Sequence, residues 1–77
     1  MKTNFLTTTD LIEIVKRNLK RMENKENPEL FDIRYYENLT IFGLLYFHLL
    51  LTIEQRQNIE ALEIRNTKVY QEFNKKV

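Results

Sequence analysis

The sequence predicts an all-α fold. Its 77 residues include one glycine and one proline, the residue types that most often interrupt regular structure, and no segment alternates cleanly between apolar and polar residues as a strand does. Apolar residues instead recur at intervals of three and four, the spacing of one helix face. We expect three helices, at about residues 10–24, 28–50 and 53–75, within a single small domain covering 1–77. Residues 1–8 are expected to form a flexible N-terminal arm.

The first helix is predicted from its cap and its apolar stripe. Thr9 or Asp10 can cap the N-terminus, and Glu13 follows Asp10 at the spacing of a capping box. The stripe consists of Leu11, Ile12, Val15, Leu19 and Met22. This pattern is typical of a helix that buries one side.

The second helix is predicted to start at Asn27-Pro28-Glu29, where a capping asparagine precedes a proline at the first helical position. Asn and Thr side chains compete for backbone hydrogen bonds, so a kink is expected between Asn38 and Thr40. From Leu39 to Leu50 the helix is apolar around its whole circumference. Such a helix is normally buried on all sides.

The third helix is predicted to begin after Thr52, which forms a capping box with Gln55. The short link from the second helix predicts an antiparallel hairpin. Its apolar seam consists of Ile59, Leu62, Asn66, Val69 and Phe73, with Asn66 at a core position of a short heptad pattern.

The apolar second helix also predicts a homodimer, in the form of a dimeric helical bundle. Two neighbouring helices cover about two-thirds of a helix, so a monomer is expected to expose a strip that a partner would bury. A glycine within a helix costs about 1 kcal/mol relative to alanine, which either close approach of another helix or a kink would explain. The candidate interface residues are Phe42, Gly43, Leu45, Leu49 and Asn66. Leu45→Glu and Leu49→Glu are expected to disrupt the dimer.

No residues of the sequence converge on catalytic chemistry. His48 is the only histidine, cysteine is absent, and Asp10 and Asp32 lie far apart. We therefore expect no enzyme activity, no cofactor and no metal site. His48 is interpreted as a neutral core or interface residue, with a pH switch as the alternative. The absence of cysteine, with no recognisable signal peptide, favours the cytoplasm.

The leading functional hypothesis is a regulatory or interaction protein that binds another protein. Tyr35 and Tyr36, beside charged residues, are the candidate partner face. The first alternative is a DNA-binding regulator that contacts phosphates through Lys16, Arg17, Lys20 and Arg21. A formal net charge of +1 gives this alternative little support, so these cations are expected to complement the helix dipole.

The second alternative is a membrane-associated small protein. The apolar run from Leu39 to Ile53 is the candidate membrane contact, and it would lie in the bilayer interface. It is short of the about 20 residues that a spanning helix needs. A membrane span is therefore not expected.

Overall fold

A computed structural model of the protein describes residues 6–47 and 51–75, and this part of the chain is all-α, as predicted. It contains three α-helices, α1 (Thr8–Glu23), α2 (Phe31–Tyr46) and α3 (Ile53–Asn74), and a 3-10 turn (Pro28–Leu30) before α2. None of these helices is both long and apolar enough to cross a membrane.

The cap of α1 lies at Thr7, earlier than predicted. The Thr7 hydroxyl accepts a hydrogen bond from the Asp10 amide at 3.1 Å, and the Asp10 carboxylate accepts one from the Thr7 amide at 3.1 Å. The predicted cap at Thr9 or Asp10 is wrong because Asp10 is the third helical residue, from which its carboxylate reaches back to the cap. Thr7 and Thr8 therefore belong to the start of α1 rather than to an arm, and residues 1–5 lie outside the described residues.

The C-terminal end of α1 is closed by a tight turn. The Glu26 amide donates to the Arg21 carbonyl at 3.0 Å, and Lys25 takes a left-handed conformation with φ of 57°. This arrangement satisfies a carbonyl that the end of a helix otherwise leaves without a donor. Arg34 of α2, only 8% exposed, donates to the Glu26 carbonyl at 2.9 Å and ties the turn to the next helix.

The boundaries of α2 differ from the prediction at both ends. Asn27 adopts a left-handed conformation with φ of 44° and makes no capping side-chain hydrogen bond, and the 3-10 turn that starts at Pro28 leads into α2. α2 then runs through Asn38 as one uninterrupted helix, and a bend of its axis there stays a prediction. The side chain of Asn38 bonds to the other helices instead of to its own backbone. α2 ends at Tyr46, and residues 48–50 lie outside the described residues.

The predicted capping box of α3 is confirmed. The Thr52 hydroxyl accepts from the Gln55 amide at 3.0 Å, and the Gln55 side chain accepts from the Thr52 amide at 2.9 Å. The antiparallel hairpin of α2 and α3 is also confirmed, because Phe31 at the start of α2 stacks on Phe73 near the end of α3, with ring centroids 4.0 Å apart.

The hydrophobic core lies where the three helices meet. Its buried members are Leu11, Val15 and Leu19 of α1, Ile41, Phe42 and Leu45 of α2, and Ile59 and Leu62 of α3. The expectation that a monomer exposes Phe42 and Leu45 is therefore wrong, since they are 2% and 0% exposed. They share one face of α2 with Asn38 and Ile41, and both other helices pack on that face.

Three asparagines, one from each helix, form a buried polar layer across this core. Asn18 donates to Asn38 at 2.9 Å, and Asn38 donates to Asn66 at 3.1 Å. Asn18 also donates to the Glu37 carboxylate at 2.6 Å. Asn66 was expected to pair across a dimer, but it is fully buried within its own chain and its described partner is Asn38. A polar layer of this kind fixes the register of the helices.

Candidate interaction surface

The side of α2 that faces away from the core is a continuous apolar surface. Its large members are Ile33, Tyr36, Leu39, Leu44 and Phe47, which are 62%, 56%, 41%, 49% and 81% exposed. The small residues Thr40 and Gly43 lie among them and are also exposed. We call these seven residues the outer face of α2.

The outer face exists because α2 is apolar on both sides but covered on only one. At roughly 100° per residue, Ile33, Leu44 and Phe47 project away from the side that holds Phe42 and Leu45. α1 and α3 pack on the Phe42 and Leu45 side. No described element of the chain lies over the outer face, so its apolar side chains remain in water.

The outer face is electrically neutral. From Asn38 to Phe47, α2 contains no charged residue. The nearest carboxylates are Asp32 and Glu37, both in the first half of the helix, and Glu37 is hydrogen-bonded to Asn18. Charged side chains are depleted at the centre of protein interfaces, and the outer face shares this property.

Gly43 lies within the outer face and has no packing role inside the described chain. A Cβ added at Gly43 would meet no atom within 4 Å. The close approach that the sequence predicts is therefore not made by α1 or α3, and α2 continues through Gly43 without interruption. The cost of about 1 kcal/mol for a glycine within a helix has no compensation within the described chain.

Two tyrosines on α2, expected together on a partner face, lie in different surroundings. Tyr35 is half-buried and stacks on Tyr70 of α3, with ring centroids 3.8 Å apart, so it holds the two helices together. Tyr36 is exposed on the outer face, in edge contact with Tyr35 at 5.1 Å. Hydrogen bonding with Tyr70 raises the pKa of Tyr36 above its usual value. Of the two tyrosines, only Tyr36 is largely exposed.

Tyr46 borders the outer face and fastens the end of α2 to α3. Its hydroxyl donates to the carboxylate of Glu63. Burial raises the pKa of Tyr46 to about 12, and the hydrogen bond to Glu63 adds to the increase. Tyr46 therefore stays protonated and keeps donating near neutral pH.

Three of the residues named as dimer candidates do not lie on the outer face. Phe42, Leu45 and Asn66 are in the core of the chain itself, so among the described candidates only Gly43 lies on an exposed surface. Leu49 and His48 lie outside the described residues.

The basic cluster of α1 forms a second, separate surface. Lys16, Arg17, Lys20 and Arg21 are all exposed on the side of α1 that faces away from the core, and none forms an ion pair within the described residues. The neighbouring Glu23 is paired instead with Arg65 of α3 at 2.6 Å. Hydrogen bonding to Arg65 lowers the pKa of the Glu23 carboxyl.

A shallow groove between α1 and α3 is a concave feature of the described chain. Its volume is about 490 Å³, and its apolar lining consists of Met22, Phe31, Ala61, Ile64, Val69 and Phe73. The Glu23–Arg65 ion pair lies at its edge. Among residues 6–47 and 51–75, no three side chains are grouped so that they could hold a metal ion.

No protein-family model matches this chain, and neither a curated protein nor a solved structure matches it. The functional interpretation therefore depends on the surface chemistry of α1 and α2.

Proposed function

We propose that this chain is a small, non-enzymatic interaction protein that acts by binding another protein through the outer face of α2. The supporting observation is the contiguous, uncharged apolar surface that Ile33, Tyr36, Leu39, Leu44 and Phe47 form. Contiguous apolar surface of this kind is uncommon on monomeric domains and marks sites of association.

The composition of the outer face fits a protein partner better than a lipid surface. Tyr36 and Phe47 supply aromatic rings, which often contribute most of the binding energy of protein interfaces. No lysine or arginine occurs between Arg34 and Arg56, so α2 lacks the cationic flank with which interfacial helices bind anionic lipid. The proposed location is the cytoplasm, because a chain without cysteine has no structural need for an oxidising compartment.

The proposal predicts that binding depends on Leu44. Immobilised wild-type chain should capture a partner from an extract of the native host, identified by mass spectrometry, and Leu44→Glu should lose it because a charge would enter an apolar contact. Ile64→Glu is the matched control, because Ile64 is similarly exposed at 58% but lies on α3, in the lining of the groove and away from the outer face. Capture that is equal with all three baits would contradict the proposal.

A DNA-binding role through the basic cluster is the second candidate. Its four cations are exposed on one helix and form no ion pair within the described chain, so they could contact phosphates. We expect no sub-micromolar duplex binding at physiological salt because the net charge is only +1. Replacing Lys16, Arg17, Lys20 and Arg21 with Gln should lower the free energy of unfolding by about 1–2 kcal/mol, because Lys20 and Arg21 in the last turn of α1 lose their interaction with the helix dipole. Fluorescence anisotropy with labelled duplex measures the binding of DNA, and urea unfolding measures the loss of stability. Tight, salt-dependent binding that the Gln variant abolishes would favour DNA instead.

A further inference from the structure

We infer that the partner on the outer face is a second copy of this chain, bound antiparallel across a two-fold axis that passes between Thr40 and Gly43. The inference rests on the proposed function of the outer face and names the occupant of that surface.

The outer face is complementary to itself. A two-fold interface brings the same patch of both copies together, so a patch of one charge sign would repel its own copy. Between Thr40 and Phe47 the outer face carries no charge. Apolar side chains on one copy can therefore cover those on the other without bringing like charges together.

The exposed area is sufficient for a weak dimer. Ile33 is left out, because across this axis it lies opposite a position beyond the end of α2. The other four large side chains are between 41% and 81% exposed. Taking about 200 Å² for a fully exposed side chain of this size, they present roughly 450 Å² per chain. Two copies would bury roughly 900 Å² in total, which is the size of a weak, concentration-dependent interface.

The shape of the outer face suits a second helix. Thr40 and Gly43 are small residues at its middle, and the large rings of Tyr36 and Phe47 flank them. The space beside Gly43 is open in the described chain, so another backbone can approach there. In the antiparallel arrangement Tyr36 of each copy faces Phe47 of the other, and Leu39 faces Leu44 of the other.

Charge placement selects the antiparallel direction. Both carboxylates near the outer face, Asp32 and Glu37, lie in the first half of α2. In a parallel pair, each of these carboxylates would lie against the same carboxylate of the other chain. An axis between Thr40 and Gly43 instead separates the two Glu37 positions by about 13 Å along the helices, beyond the screening length of roughly 8 Å at physiological salt.

Sedimentation equilibrium from low micromolar to several hundred micromolar concentration tests whether a second copy of the chain binds the outer face. We expect the wild type and Ile64→Glu to form dimers. Leu44→Glu and Gly43→Leu should associate at least about tenfold more weakly. Gly43→Leu is the sharper probe, because a Cβ at this position meets no atom within 4 Å in the free chain and the longer side chain should obstruct a neighbouring helix. Circular dichroism should show unchanged helix content in every variant.

Disulfide crosslinking tests whether the two α2 helices are antiparallel, and it is feasible because the chain has no cysteine of its own. Position 40 lies beside the axis, so the Thr40→Cys variant should form a disulfide between the two chains on mild oxidation. Ile33→Cys should not, because the axis separates the two positions by about 25 Å along the helices, far beyond the reach of a disulfide. Efficient crosslinking of Ile33→Cys would contradict the antiparallel arrangement.

The outcomes separate this inference from the proposed function. A wild-type chain that stays monomeric over the whole concentration range overturns the second copy as occupant. In that case, capture of a different protein that depends on Leu44 would still support the proposed function. Capture that does not depend on Leu44 would contradict the proposed function as well. A dimer that persists in Leu44→Glu and Gly43→Leu shows that its interface lies elsewhere and also overturns the inference.

Discussion

Replacing Leu45 with glutamate is expected to unfold the chain at every protein concentration. Leu45 is fully buried in the core between the three helices. A carboxylate there loses its hydration without gaining a partner, which costs several kcal/mol, and the packing of the leucine is lost as well. The total stability of a domain of 77 residues is only about 4–12 kcal/mol.

Leu44→Glu is the matched control, because Leu44 is the adjacent residue of the same type and is 49% exposed. Far-UV circular dichroism at low micromolar concentration should show a helical, cooperatively melting Leu44→Glu and a largely unfolded Leu45→Glu. The sequence alone suggested that Leu45→Glu would weaken a dimer in a concentration-dependent way. A folded Leu45→Glu whose melting temperature rises with concentration would support that earlier interpretation and contradict the structure.

Replacing Asn38 with alanine is expected to cost about 2–4 kcal/mol in the free energy of unfolding. The change removes the middle member of the polar layer, so Asn18 loses an acceptor and Asn66 loses a donor inside the core. It also leaves a small cavity. For a domain of this size, the loss corresponds to a melting temperature lowered by on the order of 15 °C.

Asn58→Ala is the control for Asn38→Ala, because Asn58 is exposed on α3 and should tolerate alanine with almost no loss of stability. Urea unfolding of Asn38→Ala, Asn66→Ala and the double variant measures the coupling between the two side chains. The double variant should lose less free energy of unfolding than the sum of the two single losses. Each single variant leaves the other asparagine without its partner in the core, whereas the double variant removes both side chains. Strictly additive losses would show that the layer does not act as a unit.

Local signals allowed the helices and the third cap to be predicted from the sequence. Thr52 and Gln55 form the only capping box near the start of α3, so its N-terminus could be placed correctly. At α1, consecutive threonines precede Asp10, and several of them could act as the cap. The structure selects Thr7 because Asp10 then lies at the third helical position, where its carboxylate reaches the cap amide.

The inner side of α2 could not be predicted from the sequence, because a helix that is apolar all round has no preferred inner face of its own. α1 and α3 decide which side is covered, and they cover the side that carries Asn38. A readable signal was missed here. Asn18 lies at the same three- and four-residue spacing as Val15 and Met22, which marks it as a core residue in need of a polar partner.

A dilution series of ¹⁵N-¹H spectra tests most directly whether the outer face of α2 is the binding surface. We expect concentration-dependent shifts at the amides of Tyr36, Leu39 and Leu44 and around Gly43. We expect none at the amides of Lys16 and Lys20, two exposed residues of α1. The same α2 amides should shift when a captured partner is added to dilute chain. Shifts centred on α1 or on the groove between α1 and α3, with the outer face unchanged, would contradict the account.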